Sequence, residues 1–269
     1  MRSEAESQSV TKPAIFRIEG AVVTHRGRVR IQNEDAALFG SVFAGSDLGQ
    51  PQLVRSNCDP WLIAVADGIG GSNAGRVASR QLLEWLKQSA DKSATGVVKL
   101  LQECNVRLFE QGRSNPDLAG MGAVVAGIVC GSEYSFAFNV GDSRVYRVRD
   151  GFLEQITRDD STAQLLVDAG LAERDAQRNE KVHGIMQAIG GRFDLQIIEP
   201  HVYPLRITSL SRFLLCTDGL TDMIDLDGLE ATIHGRATPA EAAAALFGAS
   251  MAAGGKDNVT IIVADVNLG

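Results

Sequence analysis

Residues 61–75, WLIAVADGIGGSNAG, hold an apolar run that stops on Asp67 and dissolves into glycines. The run has the length and character of a buried strand. Taken alone, Asp-Gly at its end is turn chemistry, because Asp bonds its own backbone and Gly accepts positive φ. The same pattern recurs, however. FLLCTDGL (213–220) leads to Asp218, FAFNVGDSR (136–144) to Asp142, and GGKDNVTIIVADV (254–266) runs in reverse, with Asp257 at the entrance to an apolar stretch. Four carboxylates at four candidate strand ends form a constellation that a single turn does not.

Around these strands the sequence is helical in two places. In residues 74–90 Val77, Ala78, Leu82 and Leu86 recur at helical spacing, and in 96–112 Val97, Leu101, Cys104 and Leu108 do the same. Residues 120–131, 134–142 and 143–151, rich in β-branched and aromatic residues and bounded by glycines, read as antiparallel strands. Residues 161–191 read as short helices with a polar middle, 194–204 as a strand, and 258–266 as the final strand. Thr238, Pro239 and Glu241 spell a helix start with a capping box. Residues 40–60, of mixed polarity, read as a surface excursion between two strands. This order implies an α+β protein with helices covering sheets. Residues 1–14 read as a flexible tail and 15–269 as one domain, since no Pro/Ser-rich or charged linker divides them.

The composition is that of a folded protein: 269 residues, 45% hydrophobic, 22% charged and seven prolines. A net charge of −7, with no Lys/Arg block, argues against nucleic acid or an anionic membrane surface as partner. The four cysteines, Cys58, Cys104, Cys130 and Cys216, lack metal or redox spacing and read as buried thiols of a reducing compartment. The N-terminus has no apolar signal region and no run reaches membrane-span length, so the expectation is a cytoplasmic protein.

Adjacent acids Glu34 and Asp35 follow the first strand candidate, with Arg30 just before them. If the strand ends converge, five or six carboxylates share a small volume. Like charges there raise one another's pKa and require a counter-charge. An all-oxygen set without His or Cys at zinc spacing selects hard ions, Mg²⁺ or Mn²⁺. Gly68, lacking a Cβ, lets its carbonyl approach an ion. Two ions about 3.5–4 Å apart can bridge a water and bring its pKa toward neutrality, which suits phosphate-ester hydrolysis. Arg30 supplies a bidentate fork for phosphoryl oxygens. Neither glycine-rich nucleotide fingerprint, G-x-G-x-x-G nor G-x-x-x-x-G-K-[ST], is present.

From about residue 18 to 266 the chain resembles the type 2C metal-dependent serine/threonine protein phosphatases, the PPM family, in particular its compact bacterial members. The resemblance rests on RVRIQNED, VADGIGG, FNVGDSRVYRVRDG, ITRDDS, LLCTDGLTDMI and DNVTIIV in that order. It implies a four-layer αββα sandwich, a central antiparallel β-sandwich flanked by helices, with a dinuclear Mn²⁺ or Mg²⁺ centre at one end. By resemblance Asp67, the Gly68 carbonyl, Asp218 and Asp257 bind the pair, Glu34 and Asp35 hold metal-bound waters, and Arg30 grips phosphate. Asp142 matches the ligand of a third, weaker ion in many bacterial members. Residues 159–189 match the flap that influences substrate choice. Ile69 stands where many eukaryotic members carry a His, which leaves the general acid unassigned, and Asn179 and Glu180 replace the flap's His-Pro. His25, His183, His201 and His234 show no metal spacing.

The implied activity is hydrolysis of phosphoserine and phosphothreonine in proteins by direct attack of a metal-bridged hydroxide, opposing a serine/threonine kinase, with a monomer sufficient. The alternatives are a catalytically inactive phosphoprotein-binding module of the same fold, disfavoured by the intact acidic set, and a metal nuclease, disfavoured by the charge.

Overall fold

The structure is a computed structural model. It describes residues 16–56, 60–70, 73–171, 184–191, 194–208 and 210–268. The expected tail, Cys58, and flap residues Asn179, Glu180 and His183 lie outside the described residues.

Two antiparallel sheets face each other. The first runs in the order β4 (Gln52–Ser56), β1 (Phe16–His25), β13 (Val259–Leu268), β12 (Ser211–Cys216), β8 (Arg144–Arg149), β9 (Phe152–Gln155). The second runs β11 (His201–Pro204), β7 (Ser135–Val140), β6 (Gly122–Cys130), β5 (Trp61–Ile69), β2 (Ala36–Phe39), β3 (Val42–Ala44), with β10 (Ile189–Gly190) also paired to β6.

The alternation of each strand decides which side chains meet. In β5, Trp61, Ile63 and Val65 join Phe39, Phe213, Leu215 and Ile262 in the core between the sheets. Leu62, Ala64 and Ala66 face the other way, onto helices α1 (Ala74–Gln88) and α2 (Ala94–Ser114), through Leu82, Leu86, Leu101 and Leu108. The outer face of the first sheet, with Val23, Leu214, Ile261 and Val263, packs on α5 (Leu226–Ile233) and α6 (Pro239–Ala252) through Leu229, Ile233 and Leu246. Helix, sheet, sheet, helix is the four-layer sandwich expected from the sequence. The α6 capping box is present: Glu241 N–H donates to Thr238 Oγ1 at 3.2 Å, and Glu241 Oε2 accepts from Thr238 N–H at 3.3 Å. A short α3 (Thr162–Asp168) follows β9, and α4 (Asp218–Thr221) is a single turn after β12.

Two readings of the sequence are corrected, and one crossing is added. Residues 40–60 are not an excursion but hold β3 and β4, which extend different sheets by pairing with β2 and β1. The strand expected over 194–204 is confined to β11. β7 and β8, consecutive in sequence, belong to opposite sheets, so the turn Gly141–Ser143 carries the chain across the sandwich.

Candidate metal centre

At one end of the sandwich the apolar alternation continues with polar residues. Asp67 follows Trp61, Ile63 and Val65 on the inward face of β5. Asp35, one step before β2, lies opposite it, because Ala36 is paired with Ala66. Across the gap, Thr24 on β1, Thr260 on β13 and Thr217 just beyond β12 continue the inward rows of Val22, Ile262 and Leu215. Asp218 opens α4, and Asp257 stands two residues before β13. The strand ends carrying all four sequence-marked aspartates, with Glu34 and Asp35, thus meet at one edge.

Asp35 is fully buried, and its Oδ2 accepts hydrogen bonds from Thr217 Oγ1 and Thr260 Oγ1, both at 2.8 Å. Glu34 is anchored through its backbone: its N–H donates to Asn258 Oδ1 at 2.8 Å and its carbonyl accepts from Ser79 Oγ at 2.5 Å. Asn258 Nδ2 also donates to the carbonyls of Arg26 and Gln32, so this one amide fixes both ends of the loop that carries Arg30. Arg30 Nη2 reaches Asp257 Oδ2 at 2.5 Å. Gly68 and Gly75 are pressed together. A Cβ on Gly68 would lie 2.2 Å from the Gly75 carbonyl oxygen, and one on Gly75 would lie 2.4 Å from Glu34 Oε2 and 2.6 Å from the Gly68 carbonyl oxygen. The Gly68 carbonyl and the Glu34 carboxylate therefore converge in a cradle that only a glycine at 75 leaves open.

Asp142 sits in the turn that crosses between sheets. Gly141 before it has φ +100°, and a Cβ there would strike Val124 at 2.2 Å. The turn is held by Asp160, whose Oδ2 accepts from Gly141 N–H at 2.9 Å, and by Asn139 Nδ2, which donates to the Gly141 carbonyl at 3.0 Å. Asp160 Oδ1 pairs with His201 Nε2 at 2.8 Å, and buried Asp159 takes a bidentate fork from Arg144, Nε to Oδ1 and Nη2 to Oδ2. Sequence reading assigned none of Asn139, Asp159, Asp160, Gly75 or Asn258 a role. ITRDDS carried a signal for the two aspartates, whereas Gly75 looked like any residue of a glycine-rich loop. His25 Nδ1 accepts from Gly27 N–H at 3.0 Å, a loop role.

Each acid is shaped by burial and by the others. Burial pushes Asp35 up to about 7 against the pull of the Thr260 and Thr217 hydroxyls. Asp67 is raised well above the carboxylate range by burial and then by Asp35, Asp218 and Asp142. Asp218 is raised by burial, then by Asp142, Asp222 and Asp257. Asp142 rises to about 6 through burial and Asp159, and Glu34 rises through burial. Among the described residues no three His, Cys, Asp or Glu side chains close on a common point as a finished cage; the acids stand on separate elements and feel one another as charge. Buried Asp35 Oδ1 and Asp142 Oδ1 have no hydrogen-bond partner. Unpartnered, mutually repelling oxygens without imidazole or thiolate among them fit a hard divalent cation. The described thiols, Cys104, Cys130 and Cys216, are buried and pushed to about 12, so they are not nucleophiles.

Comparison with known proteins agrees with this fold. Residues 52–246 match the model of the family described as protein phosphatase 2C. The serine/threonine phosphatase stp of Listeria welshimeri is 32% identical over 256 residues, covering 91% of this chain and 94% of its own length. The serine/threonine protein phosphatase PstP of Mycobacterium tuberculosis is 34% identical over 254 residues, but the match spans only 44% of that protein's length. A crystal structure of the M. tuberculosis phosphatase superposes with a TM-score of 0.75 at 30% identity, covering 93% of this chain and 98% of that one. The PstP catalytic domain in complex with two manganese ions superposes with a TM-score of 0.74 at 30% identity, covering 94% and 99%. With the fold, the ordered motifs and these relatives in agreement, the chain belongs to the protein phosphatase 2C family.

Proposed function

We propose that residues 15–269 form one catalytic domain that hydrolyses phosphoserine and phosphothreonine in proteins, with Mn²⁺ or Mg²⁺ held by Asp67, the Gly68 carbonyl, Asp218 and Asp257. The observation that carries this reading is the meeting of buried, mutually repelling acids from both sheets at one edge, beside the guanidinium of Arg30. Two such cations, when bound, supply an activated water and a positive field for phosphoryl oxygens. The protein's own part is positioning. Asp35 and Glu34 orient water beside the site, and Asp142 offers a place for a third ion. Arg30, paired with Asp257 and in the field of Asp218 and Asp67, turns its fork to the non-bridging oxygens of phosphate. A cleft of about 1100 Å³ runs from Arg30 and Asp257 past Thr157, Gln164 and Leu226, room for the polypeptide on either side of a phosphorylated residue. Its substrates are then the products of serine/threonine kinases.

The experiment is Mn²⁺-dependent release of phosphate from a phosphothreonine peptide, with and without chelator. Turnover abolished by chelator supports an enzyme; binding of the peptide without turnover at saturating Mn²⁺ would point to the inactive binding module.

A further inference from the structure

We propose that Thr24, Thr260 and Thr217 form a positioning row that dictates which oxygen of Asp35 is left for the water on a bound cation, an inference that rests on the metal reading above. Three features carry it: the register of three adjacent strands, the burial of all three hydroxyls, and a chain of hydrogen bonds with only one consistent direction.

The register places the row. Thr24 is paired with Thr260 across β1 and β13, and Cys216 with Ile261, which sets Thr217 beside Thr260 on the other side. All three are fully buried on the face that elsewhere in these strands carries Val22, Ile262 and Leu215. Valine has the shape of threonine and no polar atom to desolvate. A buried hydroxyl costs free energy unless it is bonded, so three in a row at apolar positions need partners.

The directions follow from the obligate donors. Asp35 N–H donates to Asn33 Oδ1 at 3.2 Å, which fixes the Asn33 amide so that its Nδ2 donates to Thr24 Oγ1 at 2.8 Å. Thr260 gives its single proton to Asp35 Oδ2, so in its 2.7 Å contact with Thr24 Oγ1 it can only accept, and Thr24 is the donor. Independently, Thr260 N–H donates to Thr217 Oγ1 at 3.0 Å, leaving the Thr217 proton for the same Asp35 Oδ2. Both chains end on Oδ2. Oδ1 keeps no hydrogen-bond partner, on a carboxyl group in contact with Asp67. Two convergent donors fix the plane of the carboxylate as well as its polarity, as outer hydrogen bonds do for groups that bind metals or the water on them.

The test measures Mn²⁺ binding to the full chain by isothermal titration calorimetry, with circular dichroism and thermal melting as folding controls. Thr260→Val and Thr217→Val should each weaken Mn²⁺ binding about tenfold or more, whereas Thr260→Ser, which keeps the hydroxyl, should stay within about twofold of the original protein. A folded Thr260→Val that binds Mn²⁺ unchanged overturns the row, and so does a loss in Thr260→Ser equal to that in Thr260→Val, which would assign the effect to the methyl group. Should Thr260→Val not fold, Thr217→Val and Thr24→Val decide by the same measure. If the unsubstituted chain binds no Mn²⁺, the metal reading itself falls; if it binds and the valine variants match it, only the row does.

Discussion

Replacing Gly75 by Ala adds one methyl group at the first turn of α1, directed at the Gly68 carbonyl oxygen 2.6 Å away and at Glu34 Oε2 2.4 Å away. Ordinary contact begins at 3.4 Å, so the Gly68 carbonyl must retreat by roughly 0.8 Å unless the helix moves. Glu34 can swing its carboxylate aside, but the carbonyl is anchored in β5 by its pairing with β6. Overpacking of this kind costs about 1–3 kcal/mol. Alanine recovers close to 1 kcal/mol of that through its better helix propensity. The remainder, about 0–2 kcal/mol, lowers the melting temperature by no more than about 8 °C in a chain of this size. Catalysis answers to geometry instead, and a displacement approaching 1 Å at the reacting centre costs about a hundredfold. The assay pairs thermal melting with Mn²⁺-dependent hydrolysis of p-nitrophenyl phosphate. Gly248→Ala in α6 is the control, since nothing lies within 4 Å of its added Cβ; it should melt slightly higher and turn over normally. Gly75→Ala turning over within twofold of the original enzyme would refute the cradle.

Asp218→Asn should cut turnover at least about a hundredfold while the protein remains folded, the expected loss when a preorganised charge is removed; near-normal turnover at saturating Mn²⁺ would remove Asp218 from the centre. Asp142→Ala should slow catalysis less and make its dependence on metal concentration shallower, and an unchanged titration curve would count against a third ion there. Burial raises Asp35 to about 7 and Asp142 to about 6, so between about pH 4 and 7 the folded chain binds more protons than the unfolded one and stability falls as pH rises. Chelator-treated protein should therefore melt higher at about pH 5.5 than at about pH 7.5, and Mn²⁺ should stabilise it more at the higher pH, where protons compete less; a metal-induced shift equal at both would refute this. Asn258→Ala frees the Arg26, Gln32 and Glu34 backbone contacts together, so KM for a phosphopeptide should rise severalfold as the Arg30 loop loses its setting, and an unaltered KM would show that the loop holds itself.

The aspartates were legible because a carboxylate ending an apolar run interrupts a strong signal, and four interruptions in one chain are hard to explain as turns. The long helices were legible for the same reason in reverse, since Leu82, Leu86, Leu101 and Leu108 keep an unbroken 3.6-residue rhythm. β3 and β4 were not, because edge strands of three and five residues are too short to carry an alternation that can be read. That β7 and β8 belong to opposite sheets is invisible locally, as Gly141-Asp142-Ser143 resembles any tight turn. The threonine row was hidden by its own suitability: Thr is a normal strand former, and only the register of three strands distant in sequence reveals that Thr24, Thr217 and Thr260 are neighbours.

The crossing at Gly141–Ser143 has a mechanical meaning. Asp35 and Asp67 ride on one leaf of the sandwich, Asp218 and Asp257 on the other, and Asp142 on the hinge pin between them. The centre proposed above, assembled this way, would be only as exact as the spacing of its leaves, which Phe39, Ile63, Phe213 and Ile262 set from deep in the interior. Slackening that interior should therefore loosen the alignment of the acids along with the fold.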